Sequence, residues 1–126
     1  MVSANCVFVV DDDSSARSGI ARLVRTAGHD SCAFASVSEF LDALDSDVSG
    51  CVVLEAGMPG ISGEHLQTEL ESRDLHLPII VVTSHDDLET RWKAKKMRAV
   101  AFFNKPVDGT ALFDAIKWAL QSNSRR

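Results

Sequence analysis

The chain has 126 residues, a length that predicts one domain whose core is large enough to fold without disulfides. Hydrophobic residues make up 45% and charged residues 25%, ordinary values for a globular domain that argue against disorder, a fibrous repeat or a membrane protein. The formal net charge of −5 argues against broad nucleic-acid binding, because neutralising phosphates needs a basic face. We therefore expect one domain that does not bind nucleic acid.

Short apolar runs alternate with helix-period segments along the chain, which is the pattern of a parallel sheet covered by helices on both faces. Five strands are predicted at Cys6–Val10, Asp30–Ala33, Cys51–Leu54, Ile79–Val82 and Val100–Phe103. Five helices are predicted. The first runs from Ser14 to a stop at Gly28, the second follows a capping box at Ser36 and Glu39, and the other three lie at about Glu64–Glu71, Asp87–Lys96 and Thr110–Leu120. The core of the single domain 1–126 is expected at about 5–120, with 121–126 as a polar tail or the start of a linker.

Three widely spaced cysteines lie in or beside apolar runs, at Cys6, Cys32 and Cys51. This pattern predicts small buried hydrophobes rather than a disulfide framework or a zinc site, and it is typical of a reducing compartment. The first residues have no basic start followed by an apolar segment of export length, and no run approaches membrane-spanning length. We therefore expect a cytoplasmic protein without a membrane partner.

Polar side chains follow four of the five predicted strands at the point where each strand ends. They are Asp11, Asp12 and Asp13 after the first strand, Glu55 after the third, Thr83 after the fourth and Lys105 after the fifth. Because ligands of open parallel sheets bind at the carboxyl ends of the strands, these groups should converge. Carboxylates with a hydroxyl and an ammonium suit a hard divalent cation beside a phosphoryl group, so the pattern predicts a site for Mg²⁺ and phosphate.

Each of these residues also has a purely structural interpretation. Asp13 could cap the first helix, Glu55 could be a solvated strand end, Thr83 could form a turn and Lys105 could lie on the surface. The adjacent acids Asp11 and Asp12 repel each other, a cost that is tolerated most readily where a cation binds. The combination of all these residues at one rim favours the functional interpretation.

The segments VFVVDDD, LEAGMPGISG, LPIIVVTSHDD and AVAFFNKP resemble, in order and spacing, the receiver domain of bacterial two-component response regulators. The resemblance covers about Val7 to Leu120 and is closest to the subgroup that commonly precedes a helix-turn-helix output domain. It implies an α/β, flavodoxin-like, doubly wound fold with a five-stranded parallel sheet in the order 2-1-3-4-5. It also implies a phosphorelay switch in two-component signalling and transcription regulation, not a metabolic enzyme.

The resemblance assigns roles to individual residues. Asp11 and Asp12 match the metal-binding acid pair, and the Gly57 carbonyl matches a third ligand of Mg²⁺. The implied partner is a histidine kinase or phosphotransfer protein. Thr83 matches the switch hydroxyl and Lys105 matches the phosphate-contacting lysine. Phe102 matches the rotating aromatic, which lies on the face formed by the fourth helix, the fifth strand and the fifth helix. A homodimer could form through this face.

Glu55 stands where the family carries the aspartate that accepts the phosphoryl group. Its extra methylene moves the carboxylate roughly 1.5 Å further out, which can cost about a hundredfold in a positioned reaction. We therefore expect impaired phosphorylation, or partial imitation of the phosphorylated state, and alternatively an interaction module independent of phosphorylation. Mg²⁺ is expected on Asp12, Glu55 and the Gly57 carbonyl with Asp11 acting through water, unless Glu55 reaches Lys105 instead.

Basic residues cluster before the fifth strand, at Arg91, Lys93, Lys95, Lys96 and Arg98, the last at a position where the family usually has glycine. They are interpreted as compensation of a helix dipole or, alternatively, as a surface for an acidic partner. Trp92, four residues after Leu88, is predicted to be partly buried by packing. The four histidines, His29, His65, His76 and His85, show no metal-ligand spacing and are predicted to be surface or turn residues.

Two other functions are compatible with parts of the pattern but are less favoured. Asp11, Asp13 and Ser15 after an apolar strand resemble the nucleophile loop of haloacid-dehalogenase-type phosphotransferases, although such enzymes usually need a cap domain and a longer chain. A flavodoxin-like nucleotide site is disfavoured because the first loop carries three negative charges where hydroxyls and amides should receive the phosphate.

Overall fold

The structure is a computed structural model that describes residues 5–58 and 63–124. Five strands alternate with five helices in the described residues: β1 (Cys6–Val10), α1 (Ser14–Thr26), β2 (Ser31–Phe34), α2 (Val37–Ala43), β3 (Gly50–Leu54), α3 (Gly63–Ser72), β4 (Ile79–Thr83), α4 (Leu88–Lys96), β5 (Ala101–Asn104) and α5 (Gly109–Ser124). All strand pairs are parallel and the sheet order is β2-β1-β3-β4-β5. The predicted fold class and strand order are confirmed.

The element boundaries follow local signals that the sequence carries. Ser36 caps α2, because its hydroxyl accepts a hydrogen bond of 3.1 Å from the Glu39 N–H, as the predicted capping box requires. Gly28 follows α1 with φ of 91°, a left-handed conformation that glycine adopts without a steric penalty. The five strands lie within one residue of their predicted ends.

Helix α5 is longer than predicted, because it continues to Ser124 instead of ending at Leu120. The residues after Leu120 are polar but include no glycine or proline, so nothing in them stops a helix. The domain limits of about 5–120, with 121–126 as a tail or linker, stay a prediction.

The sheet separates two hydrophobic cores. Alternate residues of β1 point to opposite faces, so Phe8 packs with Phe40 on one face while Val9 packs with Leu112 and Ile116 on the other. Strands β1, β3 and β4 are buried along their whole length, whereas β2 and β5 form the partly exposed edges. This explains why the central strands appear in the sequence as continuous apolar runs.

Two burial predictions are wrong. Cys6 and Cys51 are buried and all three thiols are free, but Cys32 is only partly buried because it lies on the edge strand β2. Trp92 is 56% exposed and does not gain cover from Leu88, which is itself 86% exposed.

Helix α4 turns Thr90 and Ala94 toward the core, so Leu88 and Trp92 lie on its outer side. Within residues 5–58 and 63–124, no helix combines the length and the apolar character that crossing a bilayer requires.

Candidate functional site

The strand register places the predicted site residues at one end of the sheet. Val10 of β1 lies opposite Leu54 of β3, so Asp11 and Glu55 leave neighbouring strands at the same level. The Glu55 N–H continues the ladder by donating to the Val10 carbonyl over 3.0 Å. On the other side, the Lys105 N–H donates to the carbonyl of Thr83, the last residue of β4, over 2.8 Å. Parallel pairing therefore brings Asp11, Glu55, Thr83 and Lys105 to one rim.

The ammonium of Lys105 lies between two carboxylates. Its Nζ is 2.7 Å from Asp11 Oδ2 and 2.9 Å from Glu55 Oε1. The side chains of Asp11, Glu55 and Lys105 are 3%, 6% and 19% exposed, so these contacts are shielded from solvent. We call this group the strand-end triad, and its net charge is −1 when all three groups are ionised.

The second oxygen of each carboxylate in the strand-end triad is held by the backbone. Asp11 Oδ1 accepts from the Asp13 N–H over 2.9 Å, and Glu55 Oε2 accepts from the Gly57 N–H over 2.8 Å. Each carboxylate therefore has a donor on both of its oxygens, which satisfies the polar atoms that burial takes out of water.

These contacts set the proton affinities of Glu55 and Lys105. Burial opposes the charged form of Glu55, but hydrogen bonds from Thr83, Lys105 and the Gly57 N–H outweigh it and hold the pKa of this carboxyl below its ordinary value. Burial likewise opposes the charged form of Lys105, yet hydrogen bonds to Asp11 and Glu55 raise the pKa of its ammonium above the ordinary value. At neutral pH both Glu55 and Lys105 are ionised.

Thr83 is fully buried at the end of β4 and contacts the triad directly. Its hydroxyl hydrogen-bonds the Glu55 carboxylate and accepts the His85 N–H over 3.1 Å. The residue that resemblance assigns as the switch hydroxyl is thus connected to the residue at the phosphoacceptor position. Its assigned role stays a prediction.

The other two acids of the first loop are separate from the triad. Asp13 is the N-cap of α1, with its carboxylate accepting the Ser15 N–H over 3.1 Å, so its structural interpretation is confirmed. The Asp12 side chain is exposed and makes no described hydrogen bond or ion pair. Of the acidic run, only Asp11 joins Glu55 and Lys105.

The oxygens of Asp11, Asp12, Glu55 and the Gly57 carbonyl are the kind of donor that Mg²⁺ takes, so the residue types fit this ion. Two of the carboxylates already share the Lys105 cation. Among residues 5–58 and 63–124, no cluster of three or more His, Cys, Asp or Glu side chains is arranged to hold a metal. The predicted ligand set stays a prediction, and Lys105 would have to share these acids with the ion.

Two residues border the site in ways that the sequence patterns did not indicate. His85 lies so close to Gly57 that a Cβ placed on Gly57 would be 2.7 Å from His85 Nδ1 and 3.2 Å from Glu55 Oε2. The Arg17 guanidinium donates to the Asp11 carbonyl over 2.8 Å and so steadies the loop from α1. Proximity to Thr83 in the sequence was the only signal for His85, and no sequence pattern indicated the contact between Arg17 and Asp11.

The predicted output face lies beside this rim. Phe102 of β5 is partly buried against the core, and the Arg91 guanidinium lies 5.0 Å from the centroid of its ring. Asp86 binds Arg91 and also accepts from the Asn104 amide over 3.0 Å, which joins the start of α4 to the end of β5. Lys96 lies 5.3 Å from the Trp92 ring centroid on the exposed side of α4.

Comparison with known proteins gives consistent matches. The family described as the response regulator receiver domain matches residues 7–117. The chain is 40% identical over 120 residues to nodulation protein W of Bradyrhizobium diazoefficiens, covering 95% of this chain and 53% of that protein. It is 38% identical over 114 residues to the transcriptional regulatory protein FixJ of Azorhizobium caulinodans, covering 90% of this chain and 54% of that protein. The chain thus spans about half the length of these curated relatives.

Solved structures agree with the sequence matches. The response regulator StyR superposes with a TM-score of 0.86 at 40% identity, covering 98% of this chain and 63% of that chain. The structure described as FixJ-N superposes with a TM-score of 0.80 at 32% identity, covering 96% of each chain. Family and fold are therefore supported by independent comparisons.

Proposed function

The chain belongs to the response regulator receiver domain family, and from this premise we propose that it is a two-component receiver whose signalling state is biased by the permanent charge of Glu55. Members of this family are signalling switches rather than metabolic enzymes, and they interact with histidine kinases or phosphotransfer proteins. The finer proposal concerns how Glu55 alters that switch.

The observation that carries this proposal is the position of the Glu55 carboxylate. It is bonded at once to Lys105 at 2.9 Å, to the Gly57 N–H at 2.8 Å and to the Thr83 hydroxyl. By resemblance, Thr83 and Lys105 are the groups that bond a phosphoryl group in a receiver. Glu55 places its own negative charge beside both groups. It imitates a phosphoryl group only in part, because it carries one negative charge and a phosphoryl group carries nearly two.

The same contacts support a loss of phosphotransfer. An acceptor carboxylate must present a free oxygen in line with the incoming phosphoryl group, and positioning dominates the rate of this reaction. Both oxygens of Glu55 are engaged, and the carboxylate lies one methylene further from the backbone than that of an aspartate. We therefore expect Glu55 to be a poor phosphoacceptor.

Receiver domains typically bind Mg²⁺ at their acidic site. In this chain we propose Asp11, Asp12, Glu55 and the Gly57 carbonyl as the residues that would hold it. The ion, when bound, supplies positive charge that offsets the charge of a transferring phosphoryl group. Lys105 already neutralises part of the acidic charge, so the chain's own residues favour weak binding of the ion.

The proposed partners follow from the family and from the α4–β5–α5 face. We propose a histidine kinase or phosphotransfer protein as the upstream partner, with a cytoplasmic location and a role in transcription regulation like that named for the FixJ relative. The face that carries Trp92 and Phe102 is the proposed surface for homodimer formation or partner docking. No nucleic acid is expected on this domain, given its net charge of −5.

A second candidate is a module that binds partners independently of phosphorylation, and the complete engagement of Glu55 favours it over any enzyme. The haloacid-dehalogenase-type alternative loses its support, because Asp13 is occupied as a helix cap and Asp11 is tied to Lys105.

The substitution Glu55→Asp tests the proposal. Shortening the side chain should withdraw the carboxylate from Lys105 and free an oxygen for attack, so incubation with acetyl phosphate and Mg²⁺ should add one phosphoryl group that mass spectrometry detects. The unsubstituted protein should gain little or none under the same conditions. Glu55→Gln provides the matched control, since it keeps the length of the side chain and lacks the nucleophilic carboxylate.

Two outcomes would contradict the proposal in different ways. If unsubstituted Glu55 accepts phosphate as fast as the aspartate variant, the distance argument is wrong. If Glu55→Asp binds Mg²⁺ in a titration and stays unmodified, the chain has lost phosphotransfer for another reason, and the phosphorylation-independent module becomes the better assignment.

A further inference from the structure

Two thiols meet on neighbouring strands at the edge of the sheet, away from the strand-end triad. Cys6 begins β1 and Cys32 lies on the edge strand β2, where the register places it opposite Phe8. Cys6 and Phe8 share one face of the sheet, and Cys32 packs against that same core. The Cys6 Sγ–H donates to Cys32 Sγ over 3.3 Å.

We propose that Cys6 and Cys32 are a reversible thiol-oxidation site that closes to an intramolecular disulfide when the chain meets a peroxide. This inference does not depend on the proposed function of the triad. A disulfide has an S–S length of about 2.05 Å, so the two sulfurs must approach by about 1.2 Å from their observed separation. The partly exposed strand β2 has only one neighbour in the sheet, which allows that small movement.

The different exposure of the two sulfurs assigns their order of reaction. Cys6 is fully buried, whereas Cys32 is only partly buried, so Cys32 is the residue of the pair that solvent reaches. Burial, with the hydrogen bond to Cys32, raises the pKa of the Cys6 thiol to about 12, so Cys6 stays protonated at neutral pH and is the poorer nucleophile toward peroxide. Cys32 is therefore the attacking sulfur and Cys6 the resolving one.

The reaction balances with a peroxide as the two-electron oxidant. The Cys32 sulfur attacks one peroxide oxygen, an S–O bond forms, the O–O bond breaks, and the leaving hydroxide takes the thiol proton to give water. The Cys6 sulfur then attacks the sulfenic sulfur, the S–S bond forms, the S–O bond breaks, and the hydroxyl leaves with the Cys6 proton as a second water. Two thiols are oxidised and one hydrogen peroxide is reduced to two waters.

The third cysteine is a built-in control. Cys51 is buried in the core on the other face of the sheet, and burial raises the pKa of its thiol to about 12. It therefore has neither exposure to the reagent nor a place beside Cys32. A cross-link within the chain should join Cys6 to Cys32 and leave Cys51 reduced.

The test treats the folded protein with hydrogen peroxide, alkylates the remaining thiols after unfolding, and counts the alkylated cysteines by mass spectrometry. We expect loss of two alkylation sites, unchanged monomer mobility on a non-reducing gel, and recovery of all three sites with dithiothreitol. Cys51→Ser should still form the bond, and Cys32→Ser should lose it completely. Since Cys6 is buried and Cys6→Ser could unfold the chain, the partly exposed Cys32 position carries the test.

Three results would overturn the proposal. Full alkylation of all three cysteines after peroxide treatment would mean that the pair does not react. A cross-link that disappears in Cys51→Ser, or that joins two chains on the gel, would identify another pair. Accumulation of sulfinic acid on Cys32 without loss of the Cys6 thiol would mean that Cys6 does not resolve the oxidised sulfur.

Discussion

Lys105 is the residue that makes the acidic rim compatible with a folded chain. Without a cation, Asp11 and Glu55 would place two buried carboxylates side by side, and burying unpaired charge costs far more than exposing it. Each carboxylate of the triad has a donor on both of its oxygens, so the charge of Glu55 is a fixed feature of the folded state and not an incidental surface charge.

The lowered pKa of Glu55 predicts how stability depends on pH. A carboxyl with a depressed folded pKa contributes stability that is fully present above its unfolded pKa, near the ordinary value of 4.5, and loses it as pH falls through the folded pKa. Glu55→Gln should therefore lower the free energy of unfolding by about 1–2 kcal/mol at neutral pH. The difference in unfolding free energy between the unsubstituted protein and Glu55→Gln should shrink as the pH falls from the ordinary value of 4.5 through the lower folded pKa.

Urea unfolding across a series from neutral to acid pH measures this difference. Glu39→Gln is the matched control, because Glu39 lies exposed in the first turn of α2. If the free energy of unfolding of Glu55→Gln stays below that of the unsubstituted protein by the same amount down to acid pH, the contribution of Glu55 is not ionic.

At the scale of elements, the residue that follows α4 adopts an unfavourable backbone conformation at a position where the family usually has glycine. Arg98 follows α4 with φ of 57°, a left-handed conformation that disfavours residues with a Cβ. Its N–H donates to the Lys95 carbonyl, the Ala99 N–H donates to the Ala94 carbonyl, and its guanidinium binds the exposed Glu71 carboxylate. The Arg98 side chain thus gains a surface ion pair at a position where the backbone favours glycine.

Arg98→Gly and Arg98→Ala separate these two effects. Both lose the ion pair, but only glycine relieves the left-handed strain, so Arg98→Gly should be more stable than Arg98→Ala by about 1 kcal/mol. Thermal or urea unfolding of the two variants measures the difference. Equal stability of the two Arg98 variants would contradict the strain argument.

Gly19, inside α1 with open space around it, supplies the reverse case, because Gly19→Ala should stabilise the protein by about 0.5–1 kcal/mol.

The elements were predictable because the local signals agree with the fold. Continuous apolar runs identified the central strands, and a side-chain cap at Ser36 identified the start of α2. Helix α4 was harder, because only Thr90 and Ala94 of its residues are buried, and an assumed contact with Leu88 gave the wrong burial for Trp92.

The candidate site was predictable as a set of strand ends, and less so as a set of contacts. Register and parallel pairing bring Asp11, Glu55 and Lys105 together, and one of the two expected arrangements already had Glu55 reaching Lys105. The sequence could not separate Asp11 from Asp12, because only the turn after β1 decides which carboxylate faces inward. It also could not indicate that His85 packs beside Gly57, since that contact depends on the path of two loops.

At the scale of the whole molecule, the two cores leave one side of α4 without cover. Trp92 and Leu88 are exposed there, and the exposed Lys95 makes no described ion pair. An exposed aromatic beside unpaired positive charge is typical of surfaces that bind another protein. This is the proposed docking face, and it is available without any rearrangement of the described residues.

Charge reversal on this face tests its role in self-association. Lys95→Glu should weaken a homodimer formed through α4, measured by sedimentation velocity over a concentration series, because the face loses attraction for a complementary acidic surface. Arg22→Glu is the matched control, since Arg22 is an exposed cation on α1, away from α4. If both variants associate like the starting protein, the α4 face is not the dimer surface. Equal weakening by both would point to net charge instead.

The strand-end triad also has a consequence for how the chain folds. Asp11 and Glu55 follow the adjacent central strands β1 and β3 directly, whereas Lys105, whose ammonium lies between them, comes 94 residues after Asp11. A nascent sheet in which β1 and β3 have paired, but β5 has not docked, holds two converging carboxylates with no counter-charge. Docking of the last strand relieves this repulsion, so the electrostatics of the rim favour closure of the sheet. The strand that precedes Lys105 also carries Phe102, so completion of the fold assembles the charged rim and the proposed docking face in one step.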